Sequence, residues 1–463
     1  MQEIKACAEK SIDEIFEKIV QNQFSTITNI TKDKIWRIEI PIERVDPIQW
    51  LYHQPFKEKI YWKDRHGHIE IVGCGQAKTI SGDRCIDYPA LFDTLQGSLA
   101  VSDKDVRYFG GFMFDQTQSP DADWAPFAAY RFFVPEFEMI SEGDGQRLAF
   151  NFLLSEDEDM EHQLLSLRQR LSKLLPARQV DFNHLPCVLS RKDIPDWSGW
   201  KGNVQKALEL FDQGVLKKVV LARKSMLTFD EELDPVKLLH LLSANNFQTF
   251  HFYFQLDRNY AFLGITPERL YKRNGRDVFS EAIAGTRPRG QSEEEDSRLG
   301  HELLESDKDL REHRWVSDIM ESSLQPLCRS IDVLEKETLL KLGHVQHLYT
   351  CFRCLLKERV GDGEILAGLH PTPAVGGFPR ENSLLKITEL EPFQRGWYAG
   401  PVGWIGKDSS EFVVAIRSAL AKEKTLSLFA GSGIVQGSQP ETEWEENENK
   451  ILNFTRLFCT RDH

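Results

Sequence analysis

Two pairs of carboxylates, each three residues apart, stand out in the second half of the chain. They are Asp309 and Glu312 in SDKDLREHRW, and Glu443 and Glu446 in ETEWEENENK. On a helix this spacing stacks each pair on one face. Two such helices facing one another would make an oxygen-only site for a hard divalent cation, most naturally Mg2+ with several waters retained. Taken singly, each pair is equally what a solvated helix face carries, as the neighbouring Glu441, Glu445 and Glu448 are.

A lysine pair and an acid form a second group. In LKKVVLARK the strand period of two sends Lys217 and Lys218 to opposite faces. A lysine that reaches inward loses charge readily and can act as a base, but periodicity does not choose between the two. Glu268 follows Pro267 in GITPERL, at the end of an apolar strand, and could serve as an acid or as half of a surface ion pair. A third group suits anions. Arg417 sits in FVVAIRSAL, an apolar run that predicts a strand, where a charged side chain needs a partner. The GSG at 431–433 allows backbone N–H groups to approach a carboxylate, and Lys450 lies one helical turn past Glu446. The loop AIAGTRPRG looks like a phosphate loop but has neither G-x-x-x-x-G-K-[ST] nor G-x-G-x-x-G, so nucleotide binding is unsupported.

The elements that must position these groups read as strands more often than helices. KIWRIEIPI (34–42), the strand–turn–strand KIYWKDRHGHIEIVGCG (59–75) and RLAFNFLL (147–154) lie in the first half, before a charged helix from Glu156 to Leu175. Residues 176–196 are Pro-punctuated and aperiodic, which suggests dividing the chain into parts 1–196 and 197–463. Beyond them come a helix from Gly202 to Gln213, the strand 215–229, and a hairpin of 247–257 with 260–266. One long helix is expected from about Glu293 to Leu324, then a strand running into a helix at 341–356, three strand-like runs, and a terminal helix from SQPETEWEENENK. Without regular strand–helix alternation the pattern predicts α+β with antiparallel sheets.

Composition narrows the function. The 463 residues are 41% hydrophobic and 28% charged, and 57 basic against 71 acidic residues leave a net charge of −14. That balance argues against nucleic-acid binding, and positive charge for an anionic substrate must be local or come from a metal. No apolar run approaches a membrane span, and the charged N-terminus lacks the apolar core of a signal peptide, so a cytoplasmic protein is expected. Among the eight cysteines only Cys351 and Cys354 have ligand-like spacing; in LYTCFRCLL that spacing predicts one helix face of reduced core thiols.

KVVLAR, GITPER, AIAGTRPRG, LLESDKDLREH, HPTPAVGG, WYAGPVGW, AIRSAL and AGSGIVQGSQPETEWEENENK follow in this order over about residues 200–455. Together they resemble the chorismate-utilising enzymes: the isochorismate, salicylate, anthranilate and aminodeoxychorismate synthases. The resemblance implies large antiparallel sheets packed as a sandwich with helices outside, and a more variable N-terminal part without a family catalytic residue. It implies that Lys218 is the base that activates water and Glu268 the acid that protonates the departing hydroxyl. It makes Glu312 and Glu446 direct ligands of Mg2+, with Asp309 and Glu443 acting through water. Gly285, Gly431 and Lys450 would lie near the ring carboxylate, Arg417 on the enolpyruvyl carboxylate, and His347 beside the ring. Such chemistry needs Lys218 partly neutral and Glu268 protonated near neutral pH.

Two residues bear on the branch. Ala284 stands where aminodeoxychorismate synthases carry a nucleophilic lysine, and Ala374 where the anthranilate and salicylate branches tend to have threonine. The resemblance thus implies an isochorismate synthase acting on chorismate, most like the menaquinone- or phylloquinone-pathway type, as a monomer or homodimer. A salicylate synthase, a siderophore-pathway isochorismate synthase and an inactive chorismate-binding protein are the alternatives.

Overall fold

In the computed structural model, residues 34–458 are described, apart from 85, 86, 156, 247 and 344. The charged N-terminal segment and Cys7, Cys85 and Cys459 lie outside the described residues. Among these residues the architecture is two antiparallel sheets with helices packed against them, the α+β class that the strand-rich pattern predicts.

The larger sheet has 12 strands. Its centre runs Lys59–Lys63, Phe250–Asp257, Tyr260–Thr266, Ser418–Lys422, Thr425–Ile434, Lys218–Phe229. The smaller sheet has nine, ordered from Cys328–Lys341 through Val345–Leu356, Asp277–Pro288, Arg269–Asn274, Ser409–Val414 and Pro401–Gly406 to strands of the first third. Each sheet therefore draws strands from both sides of residue 196.

One core cluster joins both sheets through Trp62, Phe252 and Phe254 on one side and Phe109, Phe132 and Phe412 on the other. Trp397 packs edge-on against Phe254 at 5.6 Å, and Trp124 against Phe262 at 5.2 Å. A second cluster, with Tyr61, Tyr253 and Leu263, takes in Leu239 and Leu242 of helix Pro235–Asn245 and Ile451 and Phe454 of helix Pro440–Thr455. Alternate strand residues thus bury on both faces, as expected of sheets covered on both sides. Among the described residues no helix is long and apolar enough to cross a membrane.

Three expectations are corrected. Residues 345–356 form one strand, paired with Asp277–Pro288 on one side and Cys328–Lys341 on the other. Leu348, Phe352, Cys354 and Leu356 bury at alternate positions while Arg353 and Leu355 stay exposed, so Cys351 and Cys354 point to opposite faces rather than sharing a helix face. The apolar run satisfies both periods, and two flanking strands decide between them. The long helix 293–324 is two helices, Glu293–Leu304 and Asp307–Leu324. Ser306 caps the second by accepting from the Asp309 N–H at 3.3 Å, which brings Asp309 and Glu312 into its first two turns. The run 411–421 breaks into two strands at Arg417.

Close strand packing sets a stability test. A Cβ on Gly403 would lie 2.0 Å from the Glu411 carbonyl oxygen of the facing strand, whereas one on Gly202, inside helix Trp197–Asp212, would meet nothing within 4 Å. Gly403→Ala should cost about 3 kcal/mol or more. Gly202→Ala should gain roughly 0.5–1 kcal/mol. Denaturant midpoints of the two variants check the contrast.

Candidate active site

The chain passes between the two sheets twice at the same level. After Tyr260–Thr266 of the larger sheet, Pro267 and Glu268 lead into Arg269–Asn274 of the smaller. After Ser409–Val414 of the smaller, residues 415–417 lead back into Ser418–Lys422 of the larger. The passages are tied together: Val414 N–H donates to Glu268 O at 3.0 Å, and Ile265 N–H to Arg417 O at 3.1 Å. Arg417 is therefore not a mid-strand residue. It adopts φ +51° at the passage and half-buries its guanidinium beside helix Pro440–Thr455, donating to Lys450 O at 3.3 Å.

Glu268 is 7% exposed. Burial pushes its carboxyl up to about 7, Glu281 adding to the rise while Lys218 and Lys450 oppose it. Lys218 opens strand Lys218–Phe229 with its side chain buried, and Lys217 points to solvent, its ammonium 5.7 Å from the Phe378 ring. Lys218 Nζ donates to Glu312 Oε1 at 3.0 Å and lies 5.9 Å from the Trp315 ring. A Cβ on Gly433, across the sheet, would stand 2.9 Å from Lys218 Cε. The GSG sequence suggests N–H groups for an anion, but Gly433 is needed for the room it leaves the lysine.

Lys450 reaches back along its helix to Glu446 and donates to Gly431 O at 2.7 Å. A Cβ on Gly431 would approach Tyr398 Oη to 3.0 Å. Tyr398 is buried, with its phenol pKa raised by that burial and its ring stacked on Phe429. The motif WYAGPVGW contains this tyrosine, but no spacing signal distinguishes it from a core aromatic.

Gly285, at φ +73°, sits where strand Asp277–Pro288 shifts register between Ala284 and Thr286. This is the left-handed bulge that glycine permits. Its carbonyl and the Thr286 hydroxyl meet His347 Nδ1 at 3.3 and 2.9 Å. Burial, with the nearby Arg417 charge, lowers the imidazole pKa to about 3, so the ring is neutral. A proton on Nδ1 satisfies the Gly285 carbonyl and leaves Nε2, buried and without a partner among the described residues, as an acceptor. Thr286 was missed because a hydroxyl in a polar loop carries no signal of its own.

Asp309 and Glu443 lie in the first turns of their helices, where the dipole favours anions, and Glu312 and Glu446 follow in the second turns. Glu312 is held by Lys218, Glu446 by Lys450, and Asp309 by Arg287 at 2.8 Å. Glu443 is half-buried, and burial raises its pKa, with Glu446 contributing. Among the described residues no three Asp, Glu, His or Cys side chains gather as a ready metal centre. The donor chemistry nonetheless remains all-oxygen and suits a hard cation. Ala374 is not in this set of contacts; it lies on the turn whose Gly376 carbonyl accepts from Val220 N–H at 3.0 Å.

The family profile described as chorismate binding enzyme matches residues 20–458. The chain belongs to the chorismate binding enzyme family. Relatives of this family include the isochorismate synthase MenF of Bacillus subtilis, 33% identical over 89% of this chain and 90% of that protein. The chloroplastic isochorismate synthase 2 of Arabidopsis thaliana is 33% identical over 91% of this chain and 80% of that one. Among solved structures, the menaquinone-specific isochorismate synthase MenF of Escherichia coli superposes with a TM-score of 0.84 at 29% identity, covering 97% of this chain and 100% of that one.

In this chorismate binding enzyme the carboxyl of Glu268 should titrate near neutrality. Its folded value of about 7 exceeds the ordinary 4.5, so the associated stability is complete below pH 4.5 and is lost as pH rises to about 7. Relative to Glu268→Gln, wild type should lose stability across that window and stay level above it. Denaturant midpoints at stepped pH test this; a rise over the same window would contradict the assigned environment.

Proposed function

We propose that the chain is an isochorismate synthase of the menaquinone-pathway type, converting chorismate to isochorismate with Lys218 as base and Glu268 as acid. The observation that carries this reading is one buried carboxyl poised near neutral pH in the electrostatic reach of two buried or half-buried lysines, at the passage between the sheets. A carboxyl that titrates near 7 is protonated often enough to donate, yet acidic enough to give its proton up.

Lys218 takes a proton from the water that attacks ring carbon 2, and Glu268 gives one to the hydroxyl leaving carbon 4. One water enters and one leaves, so the product is an isomer of the substrate, and solvent returns the proton from lysine to glutamate. Arg417 faces the enolpyruvyl carboxylate. His347 Nε2 offers the ring an acceptor. Gly285, Gly431 and Lys450 border the ring carboxylate, and Ala374, small and apolar, provides no hydroxyl to hold a second nucleophile.

The donor set fits Mg2+. Glu312 and Glu446 would hold the ion directly, and Asp309 and Glu443 through its waters. Bound there, it would neutralise the ring carboxylate of a dianion that a chain of net charge −14 would otherwise repel.

Chromatography of the reaction mixture tests the whole reading. Chorismate should give isochorismate, without stoichiometric salicylate and pyruvate and without need of ammonia; equal amounts of salicylate and pyruvate would move the chain to the salicylate branch. Lys218→Ala should lower kcat by about 1,000-fold, and Lys217→Ala should leave it within about twofold. Excess EDTA should abolish turnover and Mg2+ restore it. Glu312→Gln and Glu446→Gln should each lose activity with their melting temperatures little changed.

A further inference from the structure

The hairpin turn between strands Lys59–Lys63 and Ile69–Cys74 reads from sequence as a polar turn, and Arg65 within it is 5% exposed. His66, Gly67 and His68 carry the exposure of the turn. Asp64 holds its shape, its carboxylate accepting from Ile69 N–H at 3.0 Å and its carbonyl from Gly67 N–H at 3.1 Å. Arg65 is thus aimed inward by a fixed turn.

Its guanidinium spans two partners. Nη2 donates to the Pro267 carbonyl at 2.5 Å, and Nη1 and Nη2 grip Glu281 as a fork at 3.1 and 2.5 Å. Glu281, 1% exposed, is also held by Arg269 at 2.7 Å, and Arg269 reaches Glu411 at 3.1 Å. Both guanidiniums lie about 5 Å from the Phe250 ring, at 5.0 and 5.1 Å. The fork geometry matters because a lysine cannot donate in parallel to a carboxylate while also bridging to a carbonyl.

The Pro267 carbonyl belongs to the peptide bond that carries the N–H of Glu268. That N–H is bonded to Thr266 Oγ1 at 3.2 Å, and the Glu268 carbonyl to Val414 N–H at 3.0 Å. Arg65 supplies the bond to the peptide on the third side. Without it the two-residue passage Pro267–Glu268 keeps contacts to its own strand and to the second passage but loses its tie to the neighbouring hairpin.

We propose that Arg65, from the first third of the chain, is a positioning residue for Glu268, clamping the Pro267 carbonyl while Glu281 locks its own guanidinium. The inference rests on the reading of Glu268 as the acid. It gives the N-terminal part a role in the reaction that its motifs do not show.

The test compares Arg65→Lys, Arg65→Met and the charge-balanced pair Arg65→Met/Glu281→Gln with Glu268→Gln, in the full chain, by steady-state chorismate turnover and thermal melting. Arg65→Lys keeps the buried charge, and the double variant removes both, so the test survives if Arg65→Met fails to fold. In the folded variants kcat should fall about 10- to 100-fold while KM for chorismate stays within about twofold, since a displaced acid costs rate rather than binding. The double variant should recover melting temperature over Arg65→Met without recovering kcat. Wild-type kcat in Arg65→Lys and in the double variant would overturn the proposal, as would a raised KM at unchanged kcat. Full activity in Glu268→Gln would instead overturn the reading of the acid itself, so the two failures are distinct.

Discussion

The site depends on two hydrogen bonds between passages of chain that cross from one sheet to the other. Val414 N–H to Glu268 O and Ile265 N–H to Arg417 O tie the backbone of an acid's passage to that of an arginine's. Neither residue lies within a strand, so neither has its direction set by a pleat. Four strands end at these passages, and the ladders on both sides over-determine the backbone between them, which lets Arg417 hold a left-handed φ. The larger sheet brings Lys218 and the glycines of strand Thr425–Ile434 to the same place, and the smaller brings Gly285 and His347.

Charge organises what the backbone collects. The chain is strongly acidic, yet Lys218, Lys450, Arg417 and Arg65 all lie buried or half-buried near Glu268 or His347. Lys218 and Lys450 are each held by a helix-borne carboxylate, Glu312 and Glu446. Such pairing satisfies the buried charges. The opposite effects fall on two neutral-capable groups: burial and Glu281 raise Glu268, while burial and Arg417 lower His347. One becomes a donor near neutrality and the other an acceptor, from the same low-dielectric setting acting on groups of opposite charge type.

Glycine does different work at different points of this arrangement. Gly285 needs a left-handed backbone at a bulge, whereas Gly433 needs only the absence of a Cβ beside Lys218. A glycine-rich loop in the sequence suggests approach of backbone to an anion. Here the second reason applies as strongly, and it concerns a side chain 215 positions away (433 − 218) on a partner strand.

By itself, the sequence determined the α+β class, the helical placement of both carboxylate pairs, and the opposed directions of Lys217 and Lys218. These follow from periods of 3.6 and two, which are local properties of the chain. The pattern of motifs also carried the family. Only tertiary structure decided that residues 345–356 are strand throughout, because their apolar spacing suits either period and two flanking strands settle it. It likewise split the helix at Ser306, where a hydroxyl free to cap or to point outward found Asp309 N–H. The environment of Glu268 and the inward turn of Arg65 were beyond any local pattern. Burial and long-range partners set both, and Glu281 lies 216 positions from the arginine it binds.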